Sequence, residues 1–497
     1  MQDFGAALLY LLQPWPLALV VIGTTLGIVV GAIPGLTGAM LIALALPLTF
    51  TMNGADAMIL LVAMYVGSIS GGLISATILR MPGTPASMMT TLDGYPMAKG
   101  GQPGRALGLG ITASFVGGMI SWIFLVLLSR PMADISTKLA PFDLFALVLV
   151  ALVLIAAVSD GSLTRGILSG LLGILTAIPG TSPATGEVRW TFGMAELSDG
   201  LKLLPVLIGL FAVSQIIHEI IYLDAHAERV PVHRRGIFMR FADWKAQAVN
   251  LIRSSLIGSW IGILPGIGAN IGSVMAYSAA KSMSKTPEKF GHGSEEGIVA
   301  SEAANNATVG GALIPLIALG IPGSVIDAIL LGGLVIHGLT PGPLLFKYNP
   351  EVVYTMMGAV LLANIVMFVF MVASAGWLAR LADTPRELLI PAVLVFCVVG
   401  SYALNNRIFD VSVMLIFGLL GFVMEKAKIP LAPFVIGFVL APIAEENLGA
   451  GLMASGGSYL PLVTRPVSLV FCILALALLA WPFIRRYLDG RSTQAAS

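Results

Sequence analysis

Long stretches without a single ionisable side chain, separated by short polar turns, run along nearly the whole chain. No Asp, Glu, Lys or Arg occurs between Asp3 and Asp56, and comparable gaps run from Ala57 to Leu79, Ala106 to Ser129, Leu144 to Ser159 and Ser254 to Ala280. Further gaps follow Glu302 and Asp327, and others span Val352 to Ala379, Leu388 to Asn406, Val411 to Met424 and Pro466 to Ile484. About 20 apolar residues at 1.5 Å rise each cross a bilayer core, so these gaps predict roughly ten to fourteen membrane segments. The runs do not alternate as barrel strands do, which predicts an all-α polytopic membrane protein. Composition agrees: 57% of residues are hydrophobic and 11% charged, against about a quarter charged in a soluble domain. No Lys or Arg precedes Arg80, so the first apolar run lacks a basic leader segment and is expected to be retained.

Charge divides the chain. Arg229, Arg234, Arg235, Arg240, Lys245 and Arg253 crowd one mid-chain stretch, and Arg485, Arg486 and Arg491 lie near the end, so both regions are expected on the cytoplasmic side. The expected organisation is a first transmembrane repeat over 1–223, a basic amphipathic linker over 224–253, a second repeat over 254–484 and a tail over 485–497. Internal similarity supports two repeats. Gly27-Ile-Val-Val-Gly-Ala-Ile-Pro-Gly35 overlays Gly258-Ser-Trp-Ile-Gly-Ile-Leu-Pro-Gly266 at an offset of 231 (258 minus 27). Gly71 to Thr84 overlays Gly311 to Ser324 at 240 (311 minus 71), matching Pro82-Gly83 with Pro322-Gly323 and Thr84 with Ser324. Two Pro-Gly motifs recurring in order point to a duplication, with inverted orientation expected if each repeat crosses an odd number of times.

Proline removes a backbone donor and glycine admits left-handed backbone, so Pro-Gly inside an apolar run ends or unwinds a helix. Unwound backbone within lipid is costly unless protein or a cavity surrounds it. The residues at Pro34, Gly35, Thr37 and Gly38, and at Pro265, Gly266, Gly268 and Asn270, are therefore candidates for substrate or ion binding at the start of half-helices. Only 11 residues separate Ser254 from Leu264, so either the amphipathic stretch before Arg253 continues that helix or the second break lies deep. Gly83, Thr84 and Ser87, and Gly323 and Ser324, read as tips of re-entrant hairpins offering hydroxyls. Glu302, Asn305 and Asn306 lie at i, i+3 and i+4, sharing one helix face that cannot meet lipid cheaply. Glu302 and Asp327 are the candidate coupling acids; helix-to-helix bonding is the competing role for that face. Glu445, Glu446 and Asn447, and Asn405 and Asn406 beside Arg407, are expected at membrane edges.

Other chemistry is weakly represented. Gly266-Ile-Gly-Ala-Asn-Ile-Gly272 misplaces the last glycine of a dinucleotide fingerprint, no Walker motif occurs, and His218-Glu219 begins a zincin motif that Tyr222 breaks. Cys397 and Cys472 suit packing in apolar runs rather than a disulfide framework. No basic and aromatic interleaving suggests nucleic acid. No catalytic pair is evident, so the chain reads as a non-enzyme without an organic cofactor.

Several motifs together resemble the large membrane subunit of tripartite tricarboxylate transporters, the TctA family. They are Gly31-Ala-Ile-Pro-Gly-Leu-Thr-Gly38, Pro82-Gly-Thr-Pro-Ala-Ser87 with Asp93-Gly-Tyr-Pro-Met-Ala-Lys-Gly100, and Gly262-Ile-Leu-Pro-Gly-Ile-Gly-Ala-Asn270. Ser301-Glu-Ala-Ala-Asn-Asn306, Gly310-Gly-Ala-Leu-Ile-Pro-Leu316, Gly320-Ile-Pro-Gly-Ser324 and Pro442-Ile-Ala-Glu-Glu-Asn447 continue it. The resemblance implies a bacterial cytoplasmic-membrane permease that works with a periplasmic solute-binding protein and a small membrane subunit of about four helices. It also implies uptake of citrate or another small carboxylate, driven by a sodium or proton gradient, with substrate or ion contacts at the Pro-Gly breaks and hairpin tips. A channel or scaffold subunit without coupled transport is the alternative. The stretch from Gly180 to Phe192 shares the family look, and docking of a partner there through Glu187 or Arg189 is an expectation.

Overall fold

The computed structural model describes residues 2–82, 84–158, 162–221, 230, 236–265, 268–381, 386–403 and 405–494. In chain order the first helices are α1 (Gln2–Leu11), α2 (Pro14–Ala32), α3 (Gly38–Ala45), α4 (Gly54–Ile78), α5 (Met88–Lys99), α6 (Pro103–Ser136), α7 (Pro141–Val158) and α8 (Leu163–Ala177). A two-strand hairpin, β1 (Gly180–Thr181) and β2 (Val188–Arg189), precedes α9 (Leu203–Leu207) and α10 (Ser214–Ile221). There follow α11 (Phe241–Ile263), α12 (Gly268–Met283), α13 (Glu295–Leu319), α14 (Val325–Ile336), α15 (Pro343–Tyr348) and α16 (Pro350–Leu381). The last are α17 (Arg386–Ala403), α18 (Ile408–Lys426), α19 (Leu431–Ala454), α20 (Pro461–Thr464) and α21 (Pro466–Gln494). Seven helical stretches among the described residues are long and apolar enough to cross a membrane, and six shorter apolar helices accompany them. The all-α polytopic expectation therefore holds.

The chain forms two compact units, one of Met1–Asp134 with Leu204–Phe422 and the other of Ile135–Leu203 with Val423–Ser497. In the larger unit both expected breaks are present. Helix α2 stops at Ala32 before Pro34, and α3 restarts with Thr37 as its N-cap, whose hydroxyl accepts from Met40 N at 3.1 Å. Helix α11 stops at Ile263 before Pro265, and α12 begins at Gly268. Of the two alternatives for the second break, the amphipathic stretch does continue the helix: α11 starts at Phe241 and runs 23 residues. At 1.5 Å per residue that is about 34 Å, but its N-terminal part carries Asp243, Lys245 and Arg253, and α11 is not among the seven helices apolar enough to span.

The two broken helices pack in the same way on long partners. A Cβ on Gly27 of α2 would stand 2.4 Å from Met64 O of α4, and one on Gly258 of α11 would stand 2.3 Å from Ala304 O of α13. Gly31 faces Ser68 O as Gly262 faces Thr308 O, and Gly71 faces Ile28 O as Gly311 faces Ser259 O. Every one of these pairs repeats the offsets of 231 and 240 found in the sequence. Only glycine lets the backbones approach so closely, which in an apolar medium is the main attraction available between helices. Helices α4 and α13 are themselves buried along almost their whole length. Each also touches both short tip helices, α5 and α14.

The smaller unit packs α7 and α8 against α19, and α21 against α7. Its hairpin is anchored by Glu445 of α19, which accepts from Ser182 Oγ and from Arg189 Nη2, both at 2.5 Å. Arg189 therefore serves the hairpin's own attachment. Trp190 and Phe192 beyond it are exposed at 49% and 79%. Asp143 at the start of α7 accepts from Arg465, 3.0 Å from Nη2.

Candidate functional site

The second hairpin tip follows from its local sequence. Pro322 prevents α13 from continuing, and Ser324 becomes the N-cap of α14, accepting from Asp327 N at 3.3 Å. Ser324 Oγ in turn donates to Asp327 Oδ2 at 2.6 Å, and Tyr65 OH of α4 lies 3.3 Å from the same Oγ. The single Ser324 proton goes to Asp327, so the tyrosine hydroxyl is the donor in its contact. Asp327 is fully buried, and its second oxygen, Oδ1, has no hydrogen-bond partner. Gly323 is wedged against Ala312 and Gly262 O, and a Cβ on Gly268 would come within 4.0 Å of Ser324 Cβ.

At the first tip the same frame carries different chemistry. Thr84 Oγ1 and Ser87 Oγ are 2.9 Å apart and buried against Gly72 of α4. The offset of 240 maps Thr84 onto Ser324 and Ser87 onto Asp327. A closed pair of hydroxyls thus stands where the other tip has a hydroxyl and a carboxyl.

Between the tips α4 meets α13. Ser70 Oγ donates to Asn306 Oδ1 at 2.6 Å, and Asn306 Nδ2 donates to Glu302 O at 3.1 Å. Asn305 is fully buried with neither side-chain polar atom partnered. Glu302 is equally buried but has both oxygens partnered, for Thr90 Oγ1 of α5 donates to Oε1 at 2.5 Å and Ser114 Oγ of α6 donates to Oε2 at 3.2 Å. Among the described residues neither Glu302 nor Asp327 has a Lys, Arg or His within ion-pair distance. Burying a carboxylate without a cation is costly, so such groups take up a proton, a cation or strong hydrogen bonds.

The first break has a neighbour from far along the chain. Gly35 holds φ +90°, and a Cβ there would stand 2.2 Å from Glu219 Oε1 on α10. Gln215 donates to that carboxyl at 2.9 Å. Pro34, Leu36 and Met40 line a cleft with Ile390 and Val393 beside these groups. Gly38, the first residue of α3, lies against Ser68 of α4 and Ile326 of α14. Thr37 caps its own helix and Asn270 is half-buried in the first turn of α12. Gly83 and Gly266 lie outside the described residues.

Two further clusters fasten the frame. Asp93 of α5 accepts at Oδ1 from the backbone N–H groups of Gly291, Gly293 and Ser294, between 2.8 and 2.9 Å, and at Oδ2 from Tyr277 OH at 2.8 Å. Arg105 at the start of α6 donates to Asp243 of α11, 2.6 Å from Nη1 to Oδ2, and to Glu295 of α13 at 3.0 Å. The guanidinium holds the Asp243 carboxyl well below the usual carboxylate range.

The structure therefore brings together Gly38, Gly268, Gly323, Ser324 and Asp327 around the start of α14, joins Glu302 to the first tip's helix through Thr90, and joins Asn306 to α4 through Ser70. Sequence reading missed Tyr65, Ser70, Thr90, Ser114 and Glu219. The first could have been found, since 65 plus 240 is 305 and Tyr65 thus occupies the repeat position of Asn305. Nothing in sequence spacing marks the others.

The model of the tripartite tricarboxylate transporter TctA family matches residues 17–436. An uncharacterised 52.8 kDa protein in the TAR-I ttuC' 3' region of Agrobacterium vitis is 32% identical over 92% of this chain and 91% of its own length. A second uncharacterised Agrobacterium vitis protein, in the TAR-II ttuC' 3' region, is 35% identical over 44% of this chain and 93% of its own length. No solved structure matches.

Proposed function

The chain belongs to the tripartite tricarboxylate transporter TctA family, and on that premise we propose that it is the large permease subunit of a binding-protein-dependent secondary transporter for a small carboxylate. The observation that carries this reading is the meeting of both broken-helix starts with the second hairpin tip: Gly38 against Ile326 of α14 and Ser68 of α4, Gly268 beside Ser324, and Tyr65 of α4 on Ser324. Half-helix starts present free N–H groups and the positive end of the helix dipole, which suit a carboxylate. The adjacent buried acids suit a coupling sodium ion or proton. Tip helices that each touch both α4 and α13 suit alternating access, in which one of two inverted repeats moves against the other.

In this reading the chain sits in the bacterial cytoplasmic membrane with a small membrane subunit, and a periplasmic solute-binding protein delivers substrate. The test is uptake of labelled citrate and other di- and tricarboxylates into proteoliposomes holding all three components, with sodium and proton gradients imposed separately. Accumulation above equilibrium under one gradient, dependent on the binding protein, is expected. Equilibration without accumulation would instead identify a channel, and no uptake in any combination would end the transport reading.

A further inference from the structure

Glu302 and Asp327 are both buried acids without a cationic neighbour, yet their surroundings differ. Each oxygen of Glu302 receives a hydroxyl proton, from Thr90 on α5 and from Ser114 on α6, so both oxygens are partnered and the group ties three helices together. Asp327 receives one hydroxyl at Oδ2, while Oδ1 faces no donor although the side chain has no solvent exposure. A buried acceptor left open costs free energy that folding alone has no reason to spend. The first tip makes that point independently. It has the same Pro-Gly start and a hydroxyl at the next residue, Thr84, but there a short turn over Pro85–Ser87 precedes α5, and Ser87, at the repeat position of Asp327, closes on Thr84. A neutral hydroxyl is thus enough to build such a tip, and the carboxyl of Asp327 exceeds what the tip requires.

Given the transport reading above, on which this assignment rests, we propose that Asp327 alone carries the coupling cation, bound at Oδ1 as sodium or as a proton, and that Glu302 is a fixed anchor of the first tip. The cation then explains coupling by simple electrostatics. An ionised Asp327 beside Gly268 and Ser324 repels an anionic substrate at the same tip, and a bound cation removes that charge. Substrate affinity and cation affinity therefore rise together, as linkage demands. The tyrosine hydroxyl keeps Ser324 oriented, so that its one proton stays on Oδ2 and Oδ1 stays open.

The experiment compares wild type, Asp327→Asn and Glu302→Gln in proteoliposomes with the binding protein and small subunit. It measures citrate, or whichever carboxylate wild type takes up, as net accumulation under sodium or proton gradients and as exchange between equal pools on both sides. Asp327→Asn should keep exchange and lose accumulation, about tenfold under a tenfold gradient of the driving ion. Glu302→Gln should retain gradient-driven accumulation in whatever fraction remains folded. Wild-type accumulation under sodium alone identifies a bound sodium ion, and under a proton gradient alone a bound proton; either supports the assignment when Asp327→Asn abolishes it. Should Asp327→Asn fail to fold, Asp327→Ser reproduces the hydroxyl pair of the first tip and serves in its place. Accumulation by the Asp327 variants at the wild-type level overturns the assignment. So does loss of accumulation with intact exchange in Glu302→Gln. Absence of accumulation by wild type under every gradient would instead remove the transport reading itself.

Discussion

The two hairpin tips share a frame and differ in charge. Each begins with Pro-Gly, places a hydroxyl one residue later and packs against both α4 and α13. The first closes on itself through Thr84 and Ser87. The second ends in Asp327, draws in Tyr65 and leaves one carboxyl oxygen open. The two regions thus share what builds the backbone, namely the helix break and the close glycine packing. They differ in the polar side chain at the tip, which can change without disturbing that packing.

The largest effects should fall on the shared frame, equally in both copies. Gly31→Val and Gly262→Val each force a Cβ onto a backbone oxygen, at 2.3 Å from Ser68 O and 2.6 Å from Thr308 O. Each should cost about 3 kcal/mol or more, seen as loss of the monodisperse peak in detergent chromatography. A loss confined to one copy would break the comparison. Next in size is the crossing itself: Asn306→Ala removes the bonds to Ser70 Oγ and Glu302 O, leaving the Ser70 hydroxyl on Val66 O of its own helix, and should cost about 1–3 kcal/mol in thermal unfolding. Ser70→Ala should cost less, because Asn306 keeps its own bond to Glu302 O.

The tips should then separate. Ser324→Ala removes the bond to Asp327 Oδ2, the cap on Asp327 N and the Tyr65 contact, whereas Thr84→Ala removes the single contact with Ser87, so Ser324→Ala should lower the melting temperature more, about 1–3 kcal/mol against about 1. Uptake should fall much further for Ser324→Ala, and equal losses of uptake would count against unequal roles. The smallest effect concerns acid. Arg105 depresses the Asp243 carboxyl below its ordinary value of 3.8, so its stabilisation is fully present above that value and is lost only as pH falls through the lower folded value. Between pH 7 and pH 5 unfolding should be unchanged through this group, and Asp243→Asn should match wild type only in much stronger acid.

Much of the fold was legible. The uncharged runs located the helices, and both helix breaks fall where Pro34 and Pro265 stand. Offsets of 231 and 240 relate the glycine–carbonyl contacts of one half to those of the other, but the contacts themselves were visible only in the structure. The start of α11 was ambiguous because Phe241 to Arg253 mixes polar and apolar residues, so charge alone could not say whether the helix began before or after it. Glu445 was expected near a membrane edge from its polar neighbours, and its specific role, holding Arg189 and Ser182, depends on a hairpin more than 250 residues away in sequence.

Helix breaks are legible because they are covalent and local: a missing proline N–H and a glycine without Cβ act within one turn, whatever surrounds them. Apolar length is likewise a local sum, and it places the chain in the membrane. Partnership is not local. That Glu219 faces Gly35, that Thr90 and Ser114 partner both oxygens of Glu302, and that Tyr65 fixes Ser324 while Asp327 keeps an open oxygen all depend on helices distant in sequence settling to within a few ångströms. Hydrogen bonds lose their strength over an ångström of displacement, so only the packed structure distinguishes an acid with both oxygens partnered from one with an oxygen open.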